Sequence, residues 1–140
     1  MIYLAQTDTT AGFLSKSEIE INLVKKRNIN QPCIMTSYYF TSLKNKTSIP
    51  NKFKNQIRRS KKTTFIYKNN ISFRVIKDTK HSEFLKNFDF LYSSSANLHG
   101  NNFSLEYAKS IANIIVDNKF QQNSSSKIYK INNTTIKKIR

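Results

Sequence analysis

The sequence has few of the residues that interrupt or crosslink a chain: two glycines, two prolines, one cysteine and no tryptophan in 140 residues. A single cysteine, Cys33, cannot form an internal disulfide or a multi-cysteine metal site, which favours a reducing compartment, the cytoplasm. The two histidines are too far apart for zinc-ligand spacing, so no metal site is expected. No apolar run is long enough to span a bilayer, and the N-terminus lacks the features of a signal peptide. Neither membrane association nor secretion is therefore expected.

Acidic residues are also scarce. Eight of them stand against 24 basic residues, giving a formal net charge of +16 and a pI near 10.1. Such a charge attracts polyanions, and phosphate contacts make the binding salt-dependent. Because Lys, Asn and Ile recur along the whole chain, a composition bias spread over the surface explains the excess equally well. The charge alone therefore leaves nucleic-acid binding open and identifies no function.

A hydrophobic content of 38% at this length predicts one folded domain, over residues 1–140. The predicted strands are Ile2–Ala5, Cys33–Thr36, Thr63–Tyr67, Ile71–Ile76, Phe88–Tyr92, Ile114–Val116, Lys127–Ile131 and Thr134–Ile139. The predicted helices are Lys16–Arg27, Ser37–Leu43, Pro50–Arg59, Lys80–Asn87 and Ser104–Asn113. Hairpins among alternating strands and helices indicate a mixed α/β or α+β sheet rather than a purely parallel one.

Each of the few glycines is expected to mark a backbone requirement. Gly12 closes the predicted loop Gln6–Phe13, and Gly100 closes the Ser-rich segment Ser93–Gly100. Small hydroxyl residues at strand ends suit close approach by a phosphate or carboxylate, with hydroxyl and backbone N–H groups as donors. Taken singly, either segment is a simple turn; taken together with nearby basic residues, they predict an anion site.

These segments resemble the motifs of the YrdC-like family, which includes the threonylcarbamoyl-AMP synthases and the YciO-type proteins. The family's Pro-Thr-Asp-Thr-Val-Tyr-Gly-Leu corresponds to Gln6–Phe13, and its Lys-x-Arg-Pro-x-x-Lys-Pro corresponds to Lys25–Pro32. Its Thr-Phe-Ile strand resembles Thr64–Ile66, and an Arg-Val in the next strand resembles Arg74-Val75. Its Ser-Thr-Ser-Ala-Asn-x-Ser-Gly corresponds to Ser93–Gly100. The motifs follow in the family's order over nearly the whole chain, and two late positions, Ser126 and Arg140, fit more loosely.

The resemblance implies a twisted mixed parallel/antiparallel sheet with flanking helices and a basic concave face. It also implies synthesis of threonylcarbamoyl-AMP from L-threonine, bicarbonate and ATP, with Mg²⁺, for the threonylcarbamoyladenosine modification of tRNA. Double-stranded RNA or tRNA, and other proteins of that modification, are the implied macromolecular partners. Lys25 and Arg27 would be catalytic, supplying charge to phosphate and carbamate. Substrate and nucleotide binding would fall to Thr7, Thr9, Arg74, Ser93, Ser95, Asn97, Ser126 and Arg140.

Two alternatives stay open. Ala11 stands where the family has an aromatic residue, and Ser60-Lys61-Lys62 replaces its Pro-Gly-Pro; both favour a non-catalytic YrdC-like module that binds RNA. The third reading is a structural or partner protein whose surface is basic by composition. A site in which Thr9, Arg27 and Asn97 fail to converge would favour that reading.

Overall fold

The structure is a computed structural model that describes residues 1–140. The chain forms nine strands and five α-helices, with a short 3₁₀ helix at Asn51–Phe53. The strands are β1 (Tyr3–Gln6), β2 (Ala11–Ser15), β3 (Ile34–Ser37), β4 (Thr63–Ile66), β5 (Ser72–Val75), β6 (Leu91–Ser95), β7 (Ile114–Ile115), β8 (Lys127–Ile131) and β9 (Ile136–Lys138). The helices are α1 (Glu18–Val24), α2 (Phe40–Lys46), α3 (Lys54–Arg59), α4 (Lys80–Leu85) and α5 (Leu105–Ile111). Parallel and antiparallel strand pairs with flanking helices confirm the predicted mixed sheet.

The chain divides into two compact units, and the first comprises residues 1–33 and 91–124. Its strands run in the order β7-β1-β2-β6, with β1 and β2 antiparallel, β2 and β6 antiparallel, and β1 and β7 parallel. Leu4 and Phe13 face each other across the β1–β2 pair, and both are fully buried. They pack with Ile21 of α1 and Ala108 of α5 in one hydrophobic core. Removing these apolar surfaces from water stabilises the unit.

The second unit comprises residues 34–90 and 125–140. Its strands run in the order β3-β5-β4-β8-β9, with β4–β5 and β8–β9 antiparallel and β3–β5 and β4–β8 parallel. Phe65 and Phe73 face each other across the β4–β5 pair and are buried. Asn70 takes a positive φ of 66° in the turn between these strands, a conformation that Asn tolerates better than most residues. Both predicted hairpins of this unit, β4–β5 and β8–β9, are confirmed. The prediction of one domain stays a prediction.

Two local predictions in the first unit are wrong. The predicted loop Gln6–Phe13 contains the start of β2, because Ala11 and Gly12 pair with β1 on one side and β6 on the other. Pairing on both sides overrides the weak strand propensity of Ala and Gly. The predicted helix Lys16–Arg27 is shorter, since Ser17 accepts from the Glu20 N–H as N-cap and the helix ends at Val24.

The three cations at 25–27 therefore do not lie in the last turn of α1. Lys25 is the C-cap residue, and Lys26 takes a positive φ of 53° that turns the chain. This turn frees the Lys25 and Arg27 side chains for tertiary contacts. The strand predicted at Phe88–Tyr92 begins later, as β6, whereas α5 begins at the predicted cap, where Ser104 accepts from the Tyr107 N–H. No helix in the chain combines the length and apolar character needed to cross a membrane.

Candidate functional site

The turn between β1 and β2 is closed by the Thr7 side chain. Its hydroxyl donates to the Thr10 carbonyl at 2.6 Å and accepts from the N–H groups of Thr9 and Thr10 at 3.2 Å each. The Thr9 hydroxyl, also buried, lies 3.3 Å from that of Thr7. Because a hydroxyl has one proton and Thr7 gives its own to Thr10, Thr9 is the donor in the 3.3 Å contact, and a ligand can accept the Thr9 proton by displacing that long bond. Thr7 shapes the turn, and Thr9 is the member of the pair open to a ligand.

Gly12 is required by the close approach of Thr7. A Cβ added to Gly12 would lie 2.7 Å from Thr7 Cγ2 and 3.6 Å from Ser93 Oγ. The Thr7 side chain cannot move aside without giving up its bond to Thr10. The glycine of the first motif therefore serves packing around the turn, whereas Gly100 has a φ of +80° and serves the backbone conformation.

The Ser-rich segment lies on β6, the neighbour of β2. Gly12 faces Ser95 and Leu14 faces Ser93 across this antiparallel pair, and the Ala96 N–H bonds to the Ala11 carbonyl at 2.9 Å. The Ser93 side chain is buried and makes no hydrogen bond. The two glycine-containing segments are thus adjacent in one sheet, and Ser93 adds an uncommitted hydroxyl beside Gly12.

Asn97 organises the loop after β6. Its side-chain oxygen accepts from the Ser95 hydroxyl at 2.5 Å and from Lys25 Nζ at 3.1 Å. Its amide nitrogen donates to the carbonyls of Leu98 at 3.0 Å and Asn101 at 2.6 Å. All its hydrogen-bonding groups are engaged within the protein, so Asn97 positions Lys25 and the loop rather than offering a free group to a ligand.

Lys25 is a buried cation, 2% exposed, held by neutral groups. Its ammonium donates to the carbonyls of Ser95 at 2.6 Å and Asn97 at 2.7 Å, besides the Asn97 side-chain oxygen. These contacts use its three protons, and none of the acceptors is a carboxylate. Burial, followed by the nearby Arg27 charge, lowers the pKa of Lys25 from 10.5 to about 8. The charge is thus stabilised by carbonyl dipoles alone and is not neutralised.

Arg27 is the second cation of this cluster, and it is half-buried. Its Nε donates to the side-chain oxygen of Asn22 at 2.7 Å, and one terminal nitrogen contacts Cys33 Sγ at 3.2 Å and Ser94 Oγ at 3.4 Å. The other terminal nitrogen has no protein partner. Arg27 therefore keeps donors that can bind a phosphate or carboxylate, the ligands that a guanidinium suits best.

Hydrogen bonds join Thr7 to Thr9, and Lys25 to Ser95 and Asn97, while Arg27 contacts Ser94, the neighbour of Ser93. Seven predicted residues thus belong to the first unit: Thr7, Thr9, Lys25, Arg27, Ser93, Ser95 and Asn97. We call this set the Lys25 site. It presents two positive charges and two available hydroxyls, and neither cation has a carboxylate among its hydrogen-bond partners. Such a set can hold an anion.

The other three predicted residues belong to the second unit. Arg74 is buried on β5, opposite Thr36 of β3. Arg140 donates from Nε to the Ser126 carbonyl at 3.0 Å and from a terminal nitrogen to Ser126 Oγ at 3.2 Å. Ser126 is also 3.3 Å from the Thr64 hydroxyl. Ser126 and Arg140, predicted as separate binding residues, are thus in direct contact, and Thr64 of the predicted strand motif contacts Ser126.

Sequence reasoning missed two residues that hold Arg27. Asn22 is fully buried, and its amide donates to the carbonyls of Ile29 at 3.0 Å and Gln31 at 2.8 Å while its oxygen accepts from Arg27. Cys33, the first residue of a predicted strand, contacts the Arg27 guanidinium. An Asn among the apolar residues of a short helix was a signal for a buried polar role. Nothing in the sequence pointed to Cys33.

No family model and no curated protein matches the sequence at a significant level. Solved structures do match. P. abyssi Sua5 is similar at a TM-score of 0.80 and 15% identity, over 99% of this chain and 52% of that chain. A crystal structure of P. abyssi Sua5 complexed with L-threonine gives a TM-score of 0.77, over 99% and 49%. This chain therefore spans about half the length of Sua5.

Two further structures extend the comparison. E. coli YciO is similar at a TM-score of 0.76 and 14% identity, over 99% of this chain and 82% of that one. Full-length HypF in a phosphate- and nucleotide-bound form gives a TM-score of 0.76 and 13% identity, over 99% of this chain and 26% of HypF. At such identities the likeness establishes the fold alone.

Proposed function

We infer the function of this chain from the premise that it has the YrdC-like fold, which it shares with Sua5, YciO and HypF. The resemblance drawn from its motifs is confirmed at the level of the fold. We propose that the chain is a threonylcarbamoyl-AMP synthase-like protein of tRNA modification. Its substrates would be L-threonine, bicarbonate and ATP, and it would work where tRNA and ATP are found, in the cytoplasm.

The observation that carries the proposal is the uncompensated charge of the Lys25 site. A buried lysine with only carbonyl partners keeps a positive potential that nothing within its contacts cancels. Arg27 adds a second charge with an open donor, and Thr9 and Ser93 add hydroxyls. A polyanionic substrate supplies the negative charge that this set lacks. The proposal is supported by two structural neighbours that carry ligands of the required kinds: P. abyssi Sua5 is complexed with L-threonine, and full-length HypF is in a phosphate- and nucleotide-bound form.

The reaction would need no protein nucleophile. The amine of threonine attacks the carbon of bicarbonate, and a C–O bond breaks as water leaves, which gives the carbamate. A carbamate oxygen then attacks the α-phosphorus of ATP, and the bond to pyrophosphate breaks as pyrophosphate leaves. The site's contribution is to hold the reactants together and to stabilise negative charge at the α-phosphate. Arg27 would contact phosphate directly, Lys25 would act through its charge, and Thr9 and Ser93 would orient the substrate. Arg74, Ser126 and Arg140 stay predictions as further binding residues.

Magnesium would enter with the nucleotide. No group of three or more His, Cys, Asp or Glu side chains that could hold a metal ion occurs in the chain. A Mg²⁺ ion commonly keeps several waters and is bound through substrate phosphates with one or two carboxylates. A metal carried on the triphosphate would bring most of its ligands with it and would neutralise charge on the pyrophosphate.

The test is pyrophosphate release by the purified chain with ATP and magnesium. Release that depends on both threonine and bicarbonate supports the proposal. Arg27→Ala should abolish it, whereas Arg59→Ala, an exposed arginine of the second unit, should not. Absence of threonine-dependent release, or full activity of Arg27→Ala, would refute the assignment.

A non-catalytic RNA-binding module is the second candidate, favoured by the net charge of +16 and by Ala11. Ala11 is 2% exposed and belongs to the core of the first unit, so it offers no side chain to a substrate. This candidate predicts RNA binding whose affinity falls steeply with salt, without pyrophosphate release. Absent or salt-insensitive RNA binding would exclude it.

A further inference from the structure

A second basic region lies wholly within the second unit, between α2 and the β4–β5 turn. Two adjoining cavities of about 620 and 420 Å³ share Thr47, Ser48 and Asn69 in their walls. The larger is lined by three lysines, Lys44, Lys46 and Lys54, and the smaller by Lys68. We call the pair the α2 cavity.

The α2 cavity has no acid to balance these lysines. None of the chain's eight acidic residues lines either part, and the four lysines form no ion pair. Lys46 lies over the Phe90 ring at 4.4 Å, a contact that leaves its ammonium donors available. Side-chain amides and hydroxyls complete the polar wall, namely Asn45, Thr47, Ser48, Asn69, Asn132 and Asn133. Nearly every polar group here can donate to an oxygen.

Tyr67 is one of the residues that line the smaller cavity. The residue is 1% exposed, and its hydroxyl has no hydrogen-bond partner. A buried hydroxyl without a partner destabilises the protein, so this group calls for a partner from outside the chain, a water or a ligand. Burial raises the pKa of Tyr67, which keeps the hydroxyl protonated and therefore a donor. Pro50 and Ile131 add an apolar patch to the same wall.

We propose that the α2 cavity binds a small phosphate-bearing organic molecule, separately from the Lys25 site. The lysines and amides would hold the phosphate, and the Tyr67 hydroxyl would donate to a further oxygen of the ligand. Both parts are depressions open to solvent, and their volumes lie within the range of small-molecule sites, whereas a nucleic-acid backbone is commonly tracked by a longer groove or stripe of cations. The proposal is independent of the synthase reaction, because no residue of the Lys25 site takes part.

The test is a titration of the ¹⁵N-labelled chain, first with inorganic phosphate and then with AMP, followed by amide chemical shifts. Saturable shifts should appear at Ser48, Asn69 and Asn132 with both probes, with AMP binding more tightly. Lys46→Gln with Lys54→Gln should weaken AMP binding at this cavity by about tenfold or more, the loss expected for removed charge-assisted hydrogen bonds. Lys109→Gln, an exposed lysine of the first unit, is the matched control and should leave it unchanged.

Tyr67→Phe provides a second measurement. It should weaken AMP at the α2 cavity while leaving inorganic phosphate nearly unaffected, since the hydroxyl is assigned to the organic part of the ligand. Chemical shifts that do not saturate would show general electrostatic attraction and overturn the proposal. The same holds if Lys109→Gln weakens AMP binding as much as the Lys46→Gln and Lys54→Gln pair does. Saturation by a short RNA but not by AMP would overturn it in favour of a polymer site.

Discussion

Replacing Lys25 with methionine should remove a specific part of the pH dependence of stability. Lys25 has a pKa of about 8 in the folded chain against 10.5 when unperturbed, with burial as the first cause and Arg27 as the second. Between these values the unfolded chain holds a proton that the folded chain has lost, so stability rises with pH. Below about pH 8 Lys25 is protonated in both the folded and the unfolded chain, and folding carries the whole penalty for burying the charge. Above pH 10.5 Lys25 is neutral in both states, and the penalty vanishes.

The size of this effect follows from the two pKa values. At 1.36 kcal/mol for each pKa unit, burying the Lys25 charge costs about 3 kcal/mol at neutral pH. The free energy of unfolding of the unsubstituted chain should therefore rise by roughly 2–3 kcal/mol between about pH 7 and about pH 10. In Lys25→Met that gain is absent, because methionine has no proton to lose.

The assay is urea unfolding of both proteins at the two pH values. Tyrosine ionisation near pH 10 destabilises both alike, so the difference between them isolates Lys25. Lys26→Met, an exposed neighbour, should follow the unsubstituted chain. An identical pH dependence in the Lys25→Met variant would refute the claim that this buried ammonium is uncompensated. In activity, the same titration predicts a loss of anion binding as the pH rises through about 8.

Three further predictions follow from the contacts. Arg27→Lys should lower pyrophosphate release by about tenfold or more, because one ammonium cannot replace the planar guanidinium donors; losing the bond to Asn22 should also lower thermal stability, so activity is compared at a temperature where the variant is folded. Gly12→Ala should destabilise the chain by about 1–3 kcal/mol in urea unfolding through the clash with Thr7 Cγ2, and Thr7→Ser, which removes that methyl, should restore part of the loss. Tyr67→Phe should leave stability unchanged or raise it by up to about 1 kcal/mol in thermal unfolding, since it removes a buried hydroxyl without a partner; a clear decrease would contradict this.

The helix and hairpin predictions succeeded where neighbours in sequence decide the structure. Ser104 caps α5 through the N–H three residues on, and the β4–β5 turn needs only its own Asn residues. The β2 strand failed because Ala11 and Gly12 become a strand only through partners on β1 and β6, the latter more than eighty residues away. The predicted start of the first helix failed because Ser15 belongs to β2 and pairs with β6, so the helix begins only after the cap at Ser17.

The same distinction separates the parts of the candidate site. The site residues could be chosen from the sequence because their motifs resemble those of the YrdC-like family, but their roles depend on partners far along the chain. Asn97 and Thr7, predicted as ligand groups, hold the protein's own groups, whereas Thr9 and Ser93 remain available. Whether a hydroxyl is free depends on the complete set of its neighbours, which residue type does not reveal.

The sequence by itself determined the net charge of +16, the scarcity of acids that keeps this charge unpaired, and the motif order that predicted a YrdC-like fold. Only the tertiary structure decided that Lys25 is buried against carbonyls 70 and 72 residues away. It also decided that Tyr67 lies in a lysine-lined cavity without a partner for its hydroxyl. The physical reason is that charge is summed residue by residue, whereas desolvation depends on which distant groups exclude water from the same place.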